Sequence, residues 1–176
     1  MIKKHSHLKI RKARITDAQT ILDYLAIIGS ESDNLTFGSE GLGYSVEDEI
    51  KTIETMAESK NSVMFLGFIG KELVSVANLS GKSRDRMKHN ATLGLSVRKA
   101  FWNQGVGKAM MKKLTDFADK NKVLEQIDLE VRSDNLNAIH LYESFGFVKT
   151  GVMPRLMKID GEYFDTFILV RESVKQ

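Results

Sequence analysis

Apolar residues recur along this chain with two different periods, and each switch between them marks the boundary of an element. Residues 8–13 alternate apolar and polar side chains, as a half-buried strand does. Ala18, Ile21, Leu22, Leu25 and Ile28 follow at helical spacing, with Thr16 and Gln19 in the positions of a capping box. Residues 29–43 are rich in Gly, Ser, Asp and Asn and predict a loop. Ser45 then stands as the N-cap of a second helix carrying Val46, Ile50 and Ile53. Two apolar runs, 63–69 and 73–79, parted by Gly70, Lys71 and Glu72, predict an antiparallel hairpin, and 91–97 predicts a further strand. In 105–120, Val106, Ala109, Met110, Leu114, Phe117 and Ala118 share one helical face, with lysines opposite. Ile127, Leu129 and Val131 alternate with Asp128 and Glu130 in a half-buried strand, and 135–145 reads as a short helix closing at Gly146. Strands at 147–151 and 163–170, with Asp160-Gly161 as the turn between them, complete the set.

The resulting order is strand, two helices, three strands, helix, strand, helix, two strands. It predicts an α/β (α+β) architecture, a mixed and mostly antiparallel sheet flanked by about four helices. No repeat, low-complexity tract or linker interrupts the 176 residues, and the single proline, Pro154, comes late, so one domain over 1–176 is expected.

Composition narrows the function classes. No apolar run of about 18 residues appears, and the basic start is followed by no apolar block, so neither a membrane span nor a signal peptide is expected and the protein is placed in the cytoplasm. The absence of cysteine removes disulfides, thiolate metal sites and any cysteine-bound acyl intermediate. A net charge of +3 falls short of what nucleic-acid binding alone would require and suits an anionic small molecule equally well. The basic residues gather at Lys82, Arg84, Arg86 and Lys88, and at Lys108, Lys112 and Lys113, where a solvated surface is the plain reading.

Two segments carry chemistry. The first runs from the strand holding Leu95 and Val97 through Trp102, Asn103, Gln104, Gly105, Val106, Gly107 and Lys108 into a helix. The backbone N–H groups of a helix start are unpaired and lie at the positive end of the dipole, which suits a pyrophosphate, and glycines at 105 and 107 permit close approach. A tight strand-to-helix turn that binds nothing is the alternative. The second segment, Leu129-Glu130-Val131 through Asn135, His140, Tyr142 and Phe145 to Gly146-Phe147, follows in the order strand, turn, helix.

Together, over residues 91–147, these two segments resemble the main motifs of the GNAT family of N-acetyltransferases. The closer likeness is to members acting on ribosomal-protein N-terminal alanine or on small amines. The resemblance implies acetyl-CoA as cosubstrate, with the pantetheine arm on the backbone of Leu95 and Val97 and the pyrophosphate on Asn103, Gln104, Gly105, Val106, Gly107 and Lys108. It also implies Asn135 beside the coenzyme arm, Tyr142 as proton donor to the departing thiolate, and Glu130 as general base. Trp102 stands where the family often has Arg or Gln, and packing at the helix start is its alternative role. Asn135 is also a natural N-cap, Glu130 could be a solvated strand residue, and His89 is a fallback base; His5, His7 and His140 read as surface or packing residues.

A phenol with a pKa of about 10 can protonate a thiolate as the C–S bond breaks, and a carboxylate can relieve an ammonium nucleophile of its proton. The expected activity is therefore direct acetyl transfer to a primary amine in a ternary complex, with no metal. Glu31, Asp33 and Glu40, with Glu47, Asp48 and Glu49, could draw in a cationic acceptor, or could simply suit a loop and a helix start. The closing segment, Lys158 to Asp165, resembles the last hairpin of members that act on small amines or amino acids. The acceptor stays open between small molecule and protein N-terminus, and a homodimer is admitted on general grounds.

Overall fold

Among the residues described by the computed structural model, 7–174, every alternating segment of the sequence finds a neighbour in one seven-stranded sheet. In chain order the elements are β1 (Leu8–Lys12), α1 (Ala18–Glu31), α2 (Val46–Glu58), β2 (Val63–Ile69), β3 (Glu72–Gly81), β4 (Asn90–Val97), α3 (Val106–Lys120), β5 (Gln126–Arg132), α4 (Leu136–Ser144), β6 (Val148–Ile159) and β7 (Glu162–Glu172). The sheet order is β1-β2-β3-β4-β5-β7-β6, antiparallel throughout except for the β4–β5 pair. The expected mixed, mostly antiparallel sheet with four helices is what forms.

Strand alternation divides the core in two. Ala91, Leu93, Ile127, Leu129 and Val131 face α3 and α4, where Val106, Met110, Met111, Leu114 and Ala118 meet them. Leu66 and Val76 face the opposite way, onto Ile21, Tyr24, Leu25 and Ile28 of α1 and Ile53 of α2. Helices α3 and α4 thus cover one face of the sheet, and α1 and α2 cover β2 and β3 on the other. Ser45 caps α2 as expected, its hydroxyl accepting from the Asp48 N–H at 3.1 Å, a contact worth about 1 kcal/mol.

Three boundaries differ from the sequence reading. Thr16 and Gln19 make no capping box: a short 3₁₀ turn, Ile15–Asp17, precedes α1, and the Asp17 carboxylate accepts from the Arg14 N–H at 2.8 Å while gripped by Arg11 at 2.7 Å. A charged acceptor already held by arginine outcompetes a threonine hydroxyl. Helix α1 also runs to Glu31, because Glu31 has partners waiting across the sheet. Strand β6 continues past Pro154 to Ile159; as the edge strand it can hold a proline, and an irregularity between Met153 and Met157, with Arg155 at φ 54°, absorbs it.

Candidate functional site

The parallel β4–β5 pair is short. It holds only from Asn90 to Thr92 against Gln126 to Asp128, and beyond that rung the two strands part. On the β3 side, the bonds from the Arg98 N–H to Val74 O and from the Lys82 N–H to Asn90 O fix which residues of β4 the hairpin ladder uses. Antiparallel pairing consumes alternate residues, so Thr92, Gly94 and Ser96 turn their backbone groups to β3. Beyond the last parallel rung, Leu95 and Val97 turn theirs into the gap. Backbone groups left out of the ladder take water or a ligand as partner, so this gap can receive a ligand that offers amides. The gap opens into a cleft of about 1220 Å³.

At the far end of β4 the chain turns through Asn103, at φ 58°, and Gly105, at φ 82°, into α3. Gly105 is required by that left-handed conformation, in which a Cβ would be strained. At Gly107 a Cβ would sit 3.2 Å from the Leu141 side chain, a tight contact, so glycine lets α3 and α4 pack closely at the cleft. Leu95, Val97, Asn103 and Gly107 all line the cleft. The side chains of Gln104, Val106 and Lys108 do not: Gln104 donates to Ala100 O at 2.8 Å, Val106 is in the core, and Lys108 is exposed. What those three positions can offer is the backbone of the first turn of α3. Trp102 is not packed away as a core residue would be. The residue is 39% exposed, and its indole N–H donates to Val97 O at 2.7 Å, closing the corner between strand and turn.

Tyr142 and Glu130 approach the gap from opposite faces of the sheet. Tyr142 is in the α3–α4 core, tilted against Phe147 with ring centroids 6.0 Å apart, yet it also lines the cleft. Burial pushes its phenol pKa up to about 12, so it keeps its proton throughout the physiological range. Glu130 alternates out of that core, is exposed, and lines the cleft from the other side. Asn135 caps α4, its Oδ1 accepting from the Ala138 N–H at 3.3 Å, and it lines the cleft between them.

Several contributors are not visible in the sequence. Thr92, Gly94 and Ser96 of β4 and Asp128 and Arg132 of β5 join the expected Glu130 in a polar floor on the face that α1 and α2 leave uncovered. Lys82 donates to the Thr92 hydroxyl at 2.9 Å, which donates to Asp128 at 2.8 Å, tying off the closed end of the gap. Strand alternation had marked Asp128 as outward-facing, and its partner Thr92 comes from β4, with Lys82 just beyond β3 behind it. The loop after α1 supplies an apolar wall through Leu35, Phe37 and Leu42, continued by Leu25 and Ile28 of the helix.

None of the acidic residues considered for substrate capture lines the cleft, and Glu31 and Glu40 are engaged elsewhere. Glu31 holds Arg98 at 2.8 Å and the Lys99 N–H at 2.9 Å, and Glu40 caps the Gly38 N–H at 2.8 Å. Glu47, Asp48 and Glu49 lie on α2 outside the cleft lining. His89 also lies outside it, at the paired end of β4, where its carbonyl accepts from Glu125 and Gln126. His7 and His140 are exposed, and His5 falls outside the described residues. Of the basic stretch, Lys82 turns into the cleft and Lys88 pairs with Asp85 at 3.1 Å. Among the described residues no cluster of three or more His, Asp or Glu is placed to hold a metal ion, and no helix is long and apolar enough to cross a membrane.

Known proteins share both the sequence and the fold. The sequence profile of the Acetyltransferase (GNAT) family matches residues 33–147. The chain is 27% identical over 118 residues to the L-amino acid N-acetyltransferase AaaT of Escherichia coli, covering 67% of this chain and 73% of that one. It is 32% identical over 104 residues to the N-alpha-acetyltransferase RimI of Mycobacterium tuberculosis, covering 59% and 62% of the two chains. A GNAT-family acetyltransferase from Streptococcus pneumoniae superposes with a TM-score of 0.91 at 26% identity, over 94% of this chain and 99% of that one. The yncA structure from Salmonella typhimurium, described with its cofactor acetyl-CoA, superposes at 0.82 with 16% identity, over 96% and 95%, a likeness of fold. With the family profile spanning most of the sequence, on a sheet that parts between β4 and β5, this chain belongs to the GNAT family of acetyltransferases and is an N-acetyltransferase.

Proposed function

We propose that the chain transfers the acetyl group of acetyl-CoA directly to a primary amine, carried by a small amine, an amino acid or a protein N-terminus, within a ternary complex. The observation that carries this reading is the parted β4–β5 pair, which leaves the backbone of Leu95 and Val97 facing a gap flanked by Tyr142 on one face and Glu130 on the other. The gap suits a pantetheine arm, because the Leu95 N–H and C=O and the Val97 N–H point into it. The Val97 C=O is already taken by Trp102. The first turn of α3, entered through Asn103 and Gly105, suits the pyrophosphate. The names of the relatives support the class of acceptor, one for amino acids and one for N-termini.

In this reading the ammonium of the acceptor gives a proton to Glu130, directly or through water, and the nitrogen attacks the thioester carbonyl carbon. The C–N bond forms while the carbonyl oxygen takes up negative charge, which a backbone N–H of β4 stabilises. The C–S bond then breaks as Tyr142 gives its proton to the departing thiolate, the nitrogen of the new amide gives up its second proton to solvent, and solvent returns a proton to Tyr142. Acid and base serve opposite sides of one reacting centre, as their placement on opposite faces of the sheet allows. The chain has no cysteine to carry the acetyl group in between. One domain, acting in the cytoplasm, is sufficient for this chemistry.

The test is release of coenzyme A, followed with a thiol reagent, when the protein and acetyl-CoA meet L-amino acids, polyamines and peptides beginning with alanine. The missing cysteines keep the background low. Release with one amine class supports the reading, and silence across all of them, despite acetyl-CoA binding, counts against the acceptor class proposed.

A further inference from the structure

We propose that Arg132 is a positioning residue, latching the loop after α1 in place as a preformed wall on the acceptor side of the cleft. Arg132 is the last residue of β5, and its side chain is only 11% exposed. Its guanidinium stacks on the Phe164 ring of β7 at 3.9 Å and is oriented by Asp134, whose Oδ1 accepts from Nε at 2.8 Å. That leaves Nη1 aimed at the loop, where it donates to the Asp33 carbonyl at 3.0 Å, across 99 residues of sequence. Asp134 answers the charge of Arg132, so the group is poor at binding an anionic substrate and well placed to hold a backbone.

The loop is fixed at two further points. Glu31, immediately before it, takes the Arg98 Nε–H and the Lys99 N–H with its two oxygens, so the end of α1 is tied to the end of β4. Arginines at the ends of the two parted strands thus hold successive parts of one segment, which spans the mouth of the gap between them. On its return the loop lies directly on α1: a Cβ on Gly29 would stand 1.9 Å from Gly38 O. Glycine inside a helix is disfavoured relative to alanine, so contact with the returning loop is a physical reason for it here. Between these pins lie Asn34, Leu35, Thr36 and Phe37, all lining the cleft. Lysine cannot replace Arg132, because it lacks the planar fork that stacks, pairs with Asp134 and reaches Asp33 at once.

The kinetic arm of the test rests on the amine-transfer reading; the exchange arm does not. Hydrogen exchange on the full chain carrying Arg132→Met, which keeps the stem on Phe164, should show residues 33–38 exchanging at least about tenfold faster while β3 and β4 stay as protected as in the parent. With L-methionine and, separately, a peptide beginning with alanine as acceptors, Arg132→Lys and Gly29→Ala should each raise acceptor KM about tenfold, with acetyl-CoA KM within about twofold. Gly29→Ala reaches the same wall from its other end without touching β5. Unchanged exchange at 33–38 in Arg132→Met overturns the proposal. An equal rise in acetyl-CoA KM also overturns it, as does an effect of Arg132→Lys that Gly29→Ala does not share, which would make Arg132 a substrate contact. If neither acceptor is acetylated, the acceptor class fails, and the exchange result still decides the latch.

Discussion

The two walls of the cleft are made of different material. The wall we assign to the coenzyme is backbone: β4 with alternate amides turned out of the ladder, a left-handed turn at Gly105, and the start of α3. The acceptor-side wall is side chains and loop: Leu35, Phe37 and Leu42 held by contacts to Glu31, Asp33 and Gly38 from three separate elements. A backbone wall depends on local conformation, so it tolerates most side-chain changes and serves one ligand. A wall of loop side chains depends on distant partners, and it is where a shared fold acquires different acceptors.

The sharpest way to break this comparison is at Glu130, which lines the cleft on the loop side and which we propose as the base. Glu130→Gln should lower kcat/KM about a hundredfold at neutral pH, with the deficit narrowing in alkali as the acceptor amine loses its proton unaided. A constant deficit across pH would show that Glu130 does not accept that proton. On the coenzyme side, Trp102→Phe removes the N–H on Val97 O and frees a carbonyl at the gap. The expected result is a change of about threefold in acetyl-CoA KM with acceptor KM unmoved, the scale of one neutral hydrogen bond. A change confined to acceptor KM would mean that the walls are not separate.

Much of the backbone wall was legible in the sequence because it depends on local signals. The Gly-x-Gly turn, the strand before it and the Asn135 cap each show within a few residues, and strand alternation placed Glu130 outward. The acceptor wall was not legible. Arg132 reads as an ordinary strand-end charge until Asp33, Asp134 and Phe164 are folded around it. Glu31 looked like one of several loop acids and proved to be the end of α1, bound to Arg98. Strand β6 read short because proline argues against a strand, and only its place at the sheet edge removes that objection.

The smallest expected effect lies away from both walls and serves as their control. Glu49 on α2 is 2% exposed, its Oε1 lacks a hydrogen-bond partner, and burial raises its pKa. The folded state therefore holds the Glu49 proton more tightly than the unfolded chain does. Its contribution to stability is full in acid and is lost as pH rises through the folded pKa. Glu49→Gln should stabilise the protein at pH 7 by about 1 kcal/mol. Urea midpoints should show that gain shrinking as pH falls from the raised folded pKa toward the ordinary glutamate range and absent below it, with the kinetics at pH 7 unchanged. A gain that persists in acid would point to packing instead of charge.

The central claim is that the parted strands hold a thioester whose leaving thiolate is protonated by Tyr142. The most direct measurement compares Tyr142→Phe with the parent in two assays, coenzyme A binding by calorimetry and thiol release with whichever acceptor the panel identifies. The account predicts coenzyme affinity within about twofold and a fall in kcat on the order of a hundredfold or more. It also predicts that the parent shows no alkaline loss from Tyr142 near pH 10, because burial holds that phenol to about 12. Full turnover in Tyr142→Phe, or turnover and affinity lost together, would contradict it.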